Sequence, residues 1–369
     1  MLLRRLKLEN FRNYLEFDQG FNQLKTIIIG QNAQGKSNIL EAINLLASSE
    51  SARATRDSDL IYWNKSYALI FADIEKKEDN LQIALQINTT GRRKLKINNV
   101  FKKAPQADLI GNFFCVMFSA DDLYLIKGSP SIRRGWLDSV LFQLEHKYHR
   151  LHLNYSKAVT QKNALLKKAH EISIPKKDLY EQVEIWNEQI INYGSEILSL
   201  RFDFLKEIEP VAKLFLNNLS RHTEDLVIEY KSSIEGGVNK PCFRAALKKS
   251  LEEEIARGQS VIGPHRDDLI FSINKKEAKS FASQGQQRSI VLAIKLAEVK
   301  IIEKQKKEVP VLLLDDVLAE LDEPRQDFLL HNMPENIQTF LTTTHISDIQ
   351  KEFLKGGQLL KVENGKVML

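Results

Sequence analysis

Two hydrophobic periods alternate along the chain, and their order predicts its architecture. Leu3 to Glu9 alternates apolar with charged positions, the two-residue period of a half-buried strand. After Phe11-Arg12-Asn13-Tyr14 the extended character continues from Phe17 to Phe21 and from Leu24 to Ile29, so two strands are expected to lead into an α/β sheet. The run Thr26-Ile27-Ile28-Ile29 stops at Gly30, and Asn38-Ile39-Leu40-Glu41-Ala42-Ile43 then carries apolar residues at helical spacing, predicting a helix from Lys36 to Leu46. From Tyr67 to Phe101 the period is two again in YALIFADIE, NLQIALQIN and KLKINNVF, with turns at Glu78-Asp79-Asn80 and Thr90-Gly91. These predict antiparallel strands in a small β lobe, about 66-103.

The second half of the chain is mostly helical in pattern. From Trp136 to Glu171 and from Lys177 to Leu219 the apolar positions recur in steps of three and four, with Ser131 as a candidate N-cap and Ile172-Ser173-Ile174-Pro175 as the connection. A helical hairpin or bundle is therefore expected over 136-219, inserted in a head made of 1-135 and 220-369. A helix is predicted from Phe243 to Arg257 and a strand from Leu269 to Ile273. Val309 to Leu314 is continuously apolar, the pattern of a strand buried in a parallel sheet, and it ends on Asp315-Asp316. The expected class is α/β, with a mixed sheet, an antiparallel β lobe and an inserted α-helical domain.

Candidate chemistry sits at the two apolar runs. GQNAQGKS, Gly30 to Ser37, fits the G-x-x-x-x-G-K-[ST] phosphate loop between a strand and a helix. Gly30 and Gly35 allow the backbone N–H groups to turn onto an anion, Lys36 reaches the terminal phosphates and the Ser37 hydroxyl holds Mg²⁺. Ligands of open α/β sheets sit at the carboxyl ends of strands, which suits Asp315 to Mg²⁺ and Asp316 to the base or water-orienting role. A carboxylate pair there can also cap the next helix. Ser283 and Gln286 match a capping box opening a helix to about Lys306, and a capped helix start is also an anion site.

With 369 residues, 43% hydrophobic and 27% charged, the chain has material for two or three ordinary globular domains. It lacks a membrane-length apolar run and a signal-peptide core, so a cytoplasmic protein is expected. Cys115 and Cys242 have no metal-ligand spacing. The net charge of +5 is mild. Arg92, Arg93, Lys94, Lys96, Lys102, Lys103, Lys162, Lys167, Lys168, Lys176 and Lys177 cluster locally, and on charge alone they suit a solvated face or phosphate contact equally.

GQNAQGKS, SQGQQR, LLLDD, Ala319-Glu320-Leu321-Asp322 and Thr342-Thr343-Thr344-His345 occur in the order of the Walker A, signature, Walker B, D-loop and switch-histidine motifs of ABC-type ATPases. Among these the chain resembles the RecF family, related to SMC proteins. FRNY, GSPSIRR followed by WLD, QKNALLK and GPHRDD are similar to that family's own motifs, and the resemblance covers essentially the full length. It implies an ABC-type ATPase head and an ATP-dependent homodimer, in which the signature helix of one subunit closes over the γ-phosphate held by the other. Carried over by position, Gly30, Gln31, Asn32, Ala33, Gln34, Gly35, Lys36, Ser37 and Asn38 would hold ATP, and Ser37 and Asp315 would hold Mg²⁺. Asp316, Lys36 and His345 would serve catalysis, with His345 sensing the γ-phosphate. Ser283, Gly285, Gln286 and Arg288 would act in trans, and Asp322 would lie at the dimer seam. Arg12 is placed beside the phosphates by the resemblance and on the surface at a strand end by the residues alone.

The family also implies binding to duplex DNA, single-strand gaps and junctions, and loading of a recombinase together with RecR and RecO, without a membrane. An SMC-type chromosome-organising ATPase is the alternative, but the helical region is too short for a long coiled coil. Ser119-Ala120-Asp121-Asp122 departs from the family pattern, and no role is assigned to Asp121 or Asp122. Arg53 matches a family arginine whose neighbours differ. For His265 and Arg266 a turn held by side-chain hydrogen bonds and a functional role both stand.

Overall fold

The two kinds of apolar pattern end up in different sheets of a computed structural model that describes residues 1–51, 53–171, 175–237, 239–350 and 354–368. In chain order the first elements are β1 (Leu2–Phe11), β2 (Tyr14–Gly20), β3 (Lys25–Ile29), α1 (Lys36–Ser48), β4 (Tyr67–Glu75), β5 (Asn80–Asn88), β6 (Arg93–Ile97), β7 (Val100–Phe101), α2 (Pro105–Leu109) and β8 (Cys115–Ser119). Next come α3 (Tyr124–Lys127), α4 (Pro130–Leu144), α5 (His146–Glu171), α6 (Lys176–Leu219), β9 (Leu226–Lys231), α7 (Lys240–Arg257), β10 (Asp268–Ile273), β11 (Lys276–Glu277) and α8 (Ala278–Phe281). The chain closes with α9 (Gln284–Lys306), β12 (Val311–Asp315), α10 (Glu323–Asn332), β13 (Thr339–Thr343), β14 (Gln358–Glu363) and β15 (Lys366–Met368).

These elements divide into two units. Met1–Leu123, Val211–Glu224 and Ser283–Leu369 form the first, and Tyr124–Pro210 with Asp225–Ala282 form the second. The inserted unit therefore differs from the expected 136-219. It takes in the chain after the long helices because β9 and β10 pair with each other, and it gives up the end of α6, where Phe215 packs edge-on against Phe328 of α10 at 6.3 Å. The insert is consequently not purely helical: β11, β10 and β9 make a small sheet within it.

In the first unit the alternating strands build an antiparallel sheet in the order β2-β1-β4-β5-β6-β7. β1 and β2 thus belong to the lobe and not, as expected, to the sheet carrying Gly30. The burial of β1 alternates along most of its length, as suits a strand packed on one face, whereas β3 and β12 are buried on both. The second sheet runs β15-β14-β3-β13-β12-β8, with every pair parallel except β14 with β15. Ile28, Leu313, Leu314, Phe340 and Leu341 within it have no exposed surface, each such burial contributing about 1.5–3 kcal/mol.

In the second unit the predicted helix from Trp136 is two helices. α4 begins at Pro130 with Ser129, not Ser131, in the N-cap position, and it ends at Leu144 with Glu145 as its C-cap. The break lets Tyr148 Oη donate to Asp138 Oδ1 at 2.5 Å. In a continuous helix residues ten apart would be separated by about 15 Å along the axis. The connection 172–174 lies outside the described residues.

Two of the clustered basic residues are buried ion pairs and not solvated phosphate contacts. Arg93 holds Asp57 bidentately at 2.8 and 2.6 Å, and Lys162 Nζ lies 2.6 Å from Glu254 Oε2 with both side chains fully buried. Among the described residues no helix is long and apolar enough to cross a membrane.

Glu254 also accepts the Val261 N–H at 2.9 Å. Glu254→Gln is expected to cost about 3–5 kcal/mol, because it leaves the Lys162 charge buried without its partner. The double change Lys162→Met with Glu254→Leu should recover part of that loss but not the Val261 bond. Urea unfolding followed through buried Trp136 measures both, and a cost below about 1 kcal/mol for the single variant would contradict the buried-pair account.

Candidate functional site

Parallel pairing sets the site. β3 lies between β14 and β13, and the registers Ile29 with Thr343, Thr342 with Asp315 and Asp315 with Ser119 bring the carboxyl ends of four strands level. The loop leaving β3 therefore starts beside the carboxylates leaving β12.

The loop itself is held from two sides. Asn13 Nδ2 donates to the Gln34 carbonyl at 2.9 Å, Asn38 Nδ2 donates to Asn13 Oδ1 at 2.8 Å, and Tyr14 Oη donates to the Gly35 carbonyl at 3.1 Å. From the β14–β15 turn, the Asn364 N–H reaches Gln34 Oε1 at 2.6 Å and the Gly365 N–H reaches the Gln34 carbonyl at 3.1 Å. Two glycines are required. A Cβ at Gly30 would sit 2.3 Å from the Val362 carbonyl oxygen, and Gly35 has φ +114° with Asn13 Nδ2 only 2.6 Å from where its Cβ would be. Gln31, Asn32 and Ala33 are exposed at the crest. α1 opens at Gly35 with no side-chain cap, so its first N–H groups and its dipole are left for an anion. Lys36 is buried and its Nζ donates to the carbonyls of Gly30 and Gln31 at 2.9 and 3.2 Å.

Ser37 Oγ donates to Asp315 Oδ1 at 2.8 Å, and Thr342 Oγ1 donates to the same oxygen at 2.7 Å. The Thr342 hydroxyl in turn accepts the Asp316 N–H at 2.9 Å, which fixes Asp316 with φ +53°. Burial pushes the Asp316 carboxyl above the usual carboxylate range; Lys36 opposes the shift and Asp315 adds to it. Among the described residues no group of three or more His, Cys, Asp or Glu side chains could form a protein-only metal cage. A hydroxyl and one carboxylate side by side are what Mg²⁺ requires when phosphate and water complete its octahedron.

The other expected residues are spread over the same unit. Ser283 caps α9 in a full capping box, with its Oγ accepting the Gln286 N–H at 3.2 Å and Gln286 Oε1 accepting the Ser283 N–H at 2.9 Å. Gln286 Nε2 donates to Glu224 at 2.9 Å. Gly285 admits Arg325, whose Nη2 donates to the Gly285 carbonyl at 2.9 Å and would lie 3.1 Å from a Cβ there. Arg325 also donates to Ser289 Oγ at 3.0 Å and pairs with Asp322, the N-cap of α10. Arg288 lies 3.5 Å from Glu320. The segments SQGQQR and AELD are thus fastened to each other, and these contacts of 283, 285, 286 and 288 do not involve the loop 30–38. His345 is exposed, with its backbone held by the Thr343 hydroxyl at 2.9 and 3.2 Å.

Arg12, expected either beside the phosphates or on the surface at a strand end, is half-buried and engaged within the protein. Its guanidinium holds Glu41 of α1 at 2.8 and 2.5 Å and the Asp59 carbonyl at 2.7 Å, because Glu41 is buried and needs a counter-charge. Asp122 accepts the Ser119 N–H at 2.7 Å and pairs with buried Lys295 at 2.9 Å, a structural use of this carboxylate. Glu41, Glu224, Lys295 and Arg325 were not legible as site residues, since each gains its meaning from a partner distant in sequence. Asn13 and Tyr14 were signalled only by the motif FRNY.

Residues 2–366 match the RecF/RecN/SMC N terminal domain family. The chain is 39% identical to the DNA replication and repair protein RecF of Synechococcus sp. (strain JA-2-3B'a(2-13)), covering all of this chain and 97% of the relative. It is also 39% identical to RecF of Bacillus thuringiensis (strain Al Hakam), covering all of this chain and 98% of that one. A solved structure of the recombination mediator protein RecF with ATP superposes with a TM-score of 0.89 at 32% identity, over 99% of this chain and 96% of the other. The Smc head domain of Pyrococcus furiosus shares the fold, with a TM-score of 0.53 at 20% identity over 99% of this chain and 95% of that one. Identity of this order from end to end, on an ABC-type head with an inserted second unit, makes the chain a member of the RecF family of DNA replication and repair proteins.

Proposed function

We propose that this protein is an ATP-driven DNA clamp of recombinational repair. The observation that carries the reading is the hydrogen bond from Ser37 to Asp315, which joins a phosphate-loop hydroxyl to a strand-end carboxylate across 278 residues of sequence. The similar RecF structures described with ATP and with an ATP analogue support a nucleotide at this loop. Gly30 to Asn38 wrap the phosphates, and Lys36 exchanges the carbonyls of its own loop for the terminal phosphate oxygens. Ser37 and Asp315 would hold Mg²⁺, which would supply positive charge against that developing on the phosphates. Asp316 orients and deprotonates the attacking water, its raised pKa bringing it nearer to neutrality as a base.

Ser283, Gly285, Gln286 and Arg288 complete the site of a second copy, and His345 reports the γ-phosphate. Nucleotide at about 100 times its Kd stabilises the state that binds it by about 2.7 kcal/mol, enough to favour a closed dimer at concentrations where the free chain is monomeric. Hydrolysis removes the γ-phosphate and opens the dimer. Turnover is slow and stimulated by DNA. The clamp engages duplex and gapped or junction DNA through phosphates and, with RecR- and RecO-type partners, helps load a recombinase onto single-strand gaps.

Light scattering on Asp316→Asn protein with Mg-ATP should give twice the 42.4 kDa chain mass. The same protein carrying Ser283→Arg should stay monomeric. A monomer under both conditions would remove the trans site.

Asp316→Asn should also melt at the same or a higher temperature than the parent when nucleotide is absent. Asparagine tolerates the left-handed backbone at this position and carries no charge beside Asp315. Because the folded pKa of Asp316 is raised, the parent is the less stable protein above that pKa. The difference should vanish as pH falls and the acid protonates. A variant that melts lower near neutral pH would contradict this.

DNA affinity should fall steeply with salt. Three or more neutralised phosphates give a slope of log K against log salt of about −2.7 or steeper, and titration by fluorescence anisotropy reads it directly. A flat dependence would exclude a phosphate-dominated clamp.

A further inference from the structure

The segments GSPSIRR, WLD and GPHRDD take no part in the nucleotide site, yet they converge in the second unit around a cavity of about 280 Å³. Its wall includes Arg134, Gly135 and Asp138 on one face of α4, Tyr155 of α5, Arg201 of α6 and His265. The carboxylates nearby are already satisfied. Arg133 holds Asp268 bidentately at 2.6 and 2.9 Å, Arg201 holds Asp138 at 2.7 Å, and Asp267 accepts from Tyr230 Oη at 2.8 Å and the Ser233 N–H at 2.6 Å. Arg134 is the exception. Half-buried, it donates to the Asp267 carbonyl at 2.7 Å and forms no ion pair among the described residues. Burial, and then the neighbouring charge of Arg201, disfavour its cationic form; Asp268, Asp138 and Asp267 offset part of this, and an anion in the cavity would relieve the rest. His265 is bound to Tyr155 Oη through Nδ1 at 2.6 Å, and burial depresses its pKa to about 3. It is therefore neutral, and the positive charge of the cavity comes from the arginines. Arg266 is turned onto the Ser260 carbonyl at 2.9 Å, so this residue holds the turn and leaves the cavity.

Gly135 supplies an independent observation. It lies inside α4, is exposed, and nothing stands within 4 Å of where its Cβ would be. Glycine weakens a helix interior relative to alanine, and no neighbour in the protein requires it here. A ligand resting on the backbone at this point does require it.

We propose that this cavity binds a phosphate-class oxyanion, the phosphate monoester of a small molecule or of a nucleic-acid end, gripped by Arg134 and lying over Gly135. Guanidinium is the side chain best matched to phosphate in a partly desolvated wall.

The test uses the full chain on a Lys36→Ala background, which removes phosphate binding at the nucleotide loop. Isothermal titration with inorganic phosphate should show one saturable site. Arg134→Gln should weaken it at least tenfold. Gly135→Ala should weaken it several-fold while the melting temperature stays level or rises, a combination that a merely structural glycine does not give. Absence of saturable binding, or affinity unchanged in both variants, would overturn the proposal. Short single strands with and without a terminal phosphate, at either end, separate the sources. A terminal-phosphate preference lost with Arg134→Gln assigns the site to a nucleic-acid end, and equal binding of the strands beside retained phosphate binding assigns it to a small molecule. With Lys36 restored, Arg134→Gln should still dimerise with ATP, so the clamp and the cavity stand or fall separately.

Discussion

Everything at the candidate site depends on the parallel register that puts Ser37 within 2.8 Å of Asp315. β3 and β12 are not neighbours; β13 lies between them and contributes Thr342, whose hydroxyl donates to Asp315 and accepts from Asp316. A register slip in either pairing would turn every inward side chain outward and separate the loop from its carboxylates. The continuous apolar runs place these strands inside the sheet, and the hydrogen bonds of Ser37 and Thr342 to Asp315 mark the register at their carboxyl ends. The chemistry of the site is thus a by-product of burying Ile28, Leu314 and Leu341 on both faces of one sheet.

The phosphate loop is preorganised by segments far from it in sequence. Asn13 and Tyr14 hold one side and the β14–β15 turn holds the other, so that the carbonyls of Gln34 and Gly35 each accept a hydrogen bond from within the protein. Donors fixed in advance need no reorganisation when charge arrives, which is how a loop of this kind binds phosphate strongly. Arg325 does the corresponding work for the signature segment, tying the start of α9 to the start of α10. A displacement of one is then felt by the other.

The second unit follows a different logic. Its interior carries charge: Arg201 and Lys162 are buried, and each is matched by hydrogen-bonded carboxylates or phenols. Such pairs add little net stability over apolar packing, but their breakage is costly, so they define one arrangement of α4, α5, α6 and the turn before β10. Arg134, which forms no ion pair among the described residues, is the place where that matching is incomplete.

By itself the sequence determined the α/β class, the strand, glycine loop and helix over 25–48, the strand that ends on an acidic pair and the capped start of α9, because each is written in a local pattern of glycines, apolar runs and caps. It also determined the antiparallel period of the lobe. Tertiary structure alone decided that β1 and β2 join that lobe, since alternation reports one-sided burial but not the partner strand. It decided the limits of the inserted unit, which depend on β9 pairing with β10. It placed Arg12 on Glu41, Arg93 on Asp57 and Lys162 on Glu254, where a cation in the sequence looks the same whether it meets solvent, phosphate or a buried carboxylate. A buried charge takes whichever partner the fold brings within reach, and that distance is not carried by the residues on either side of it.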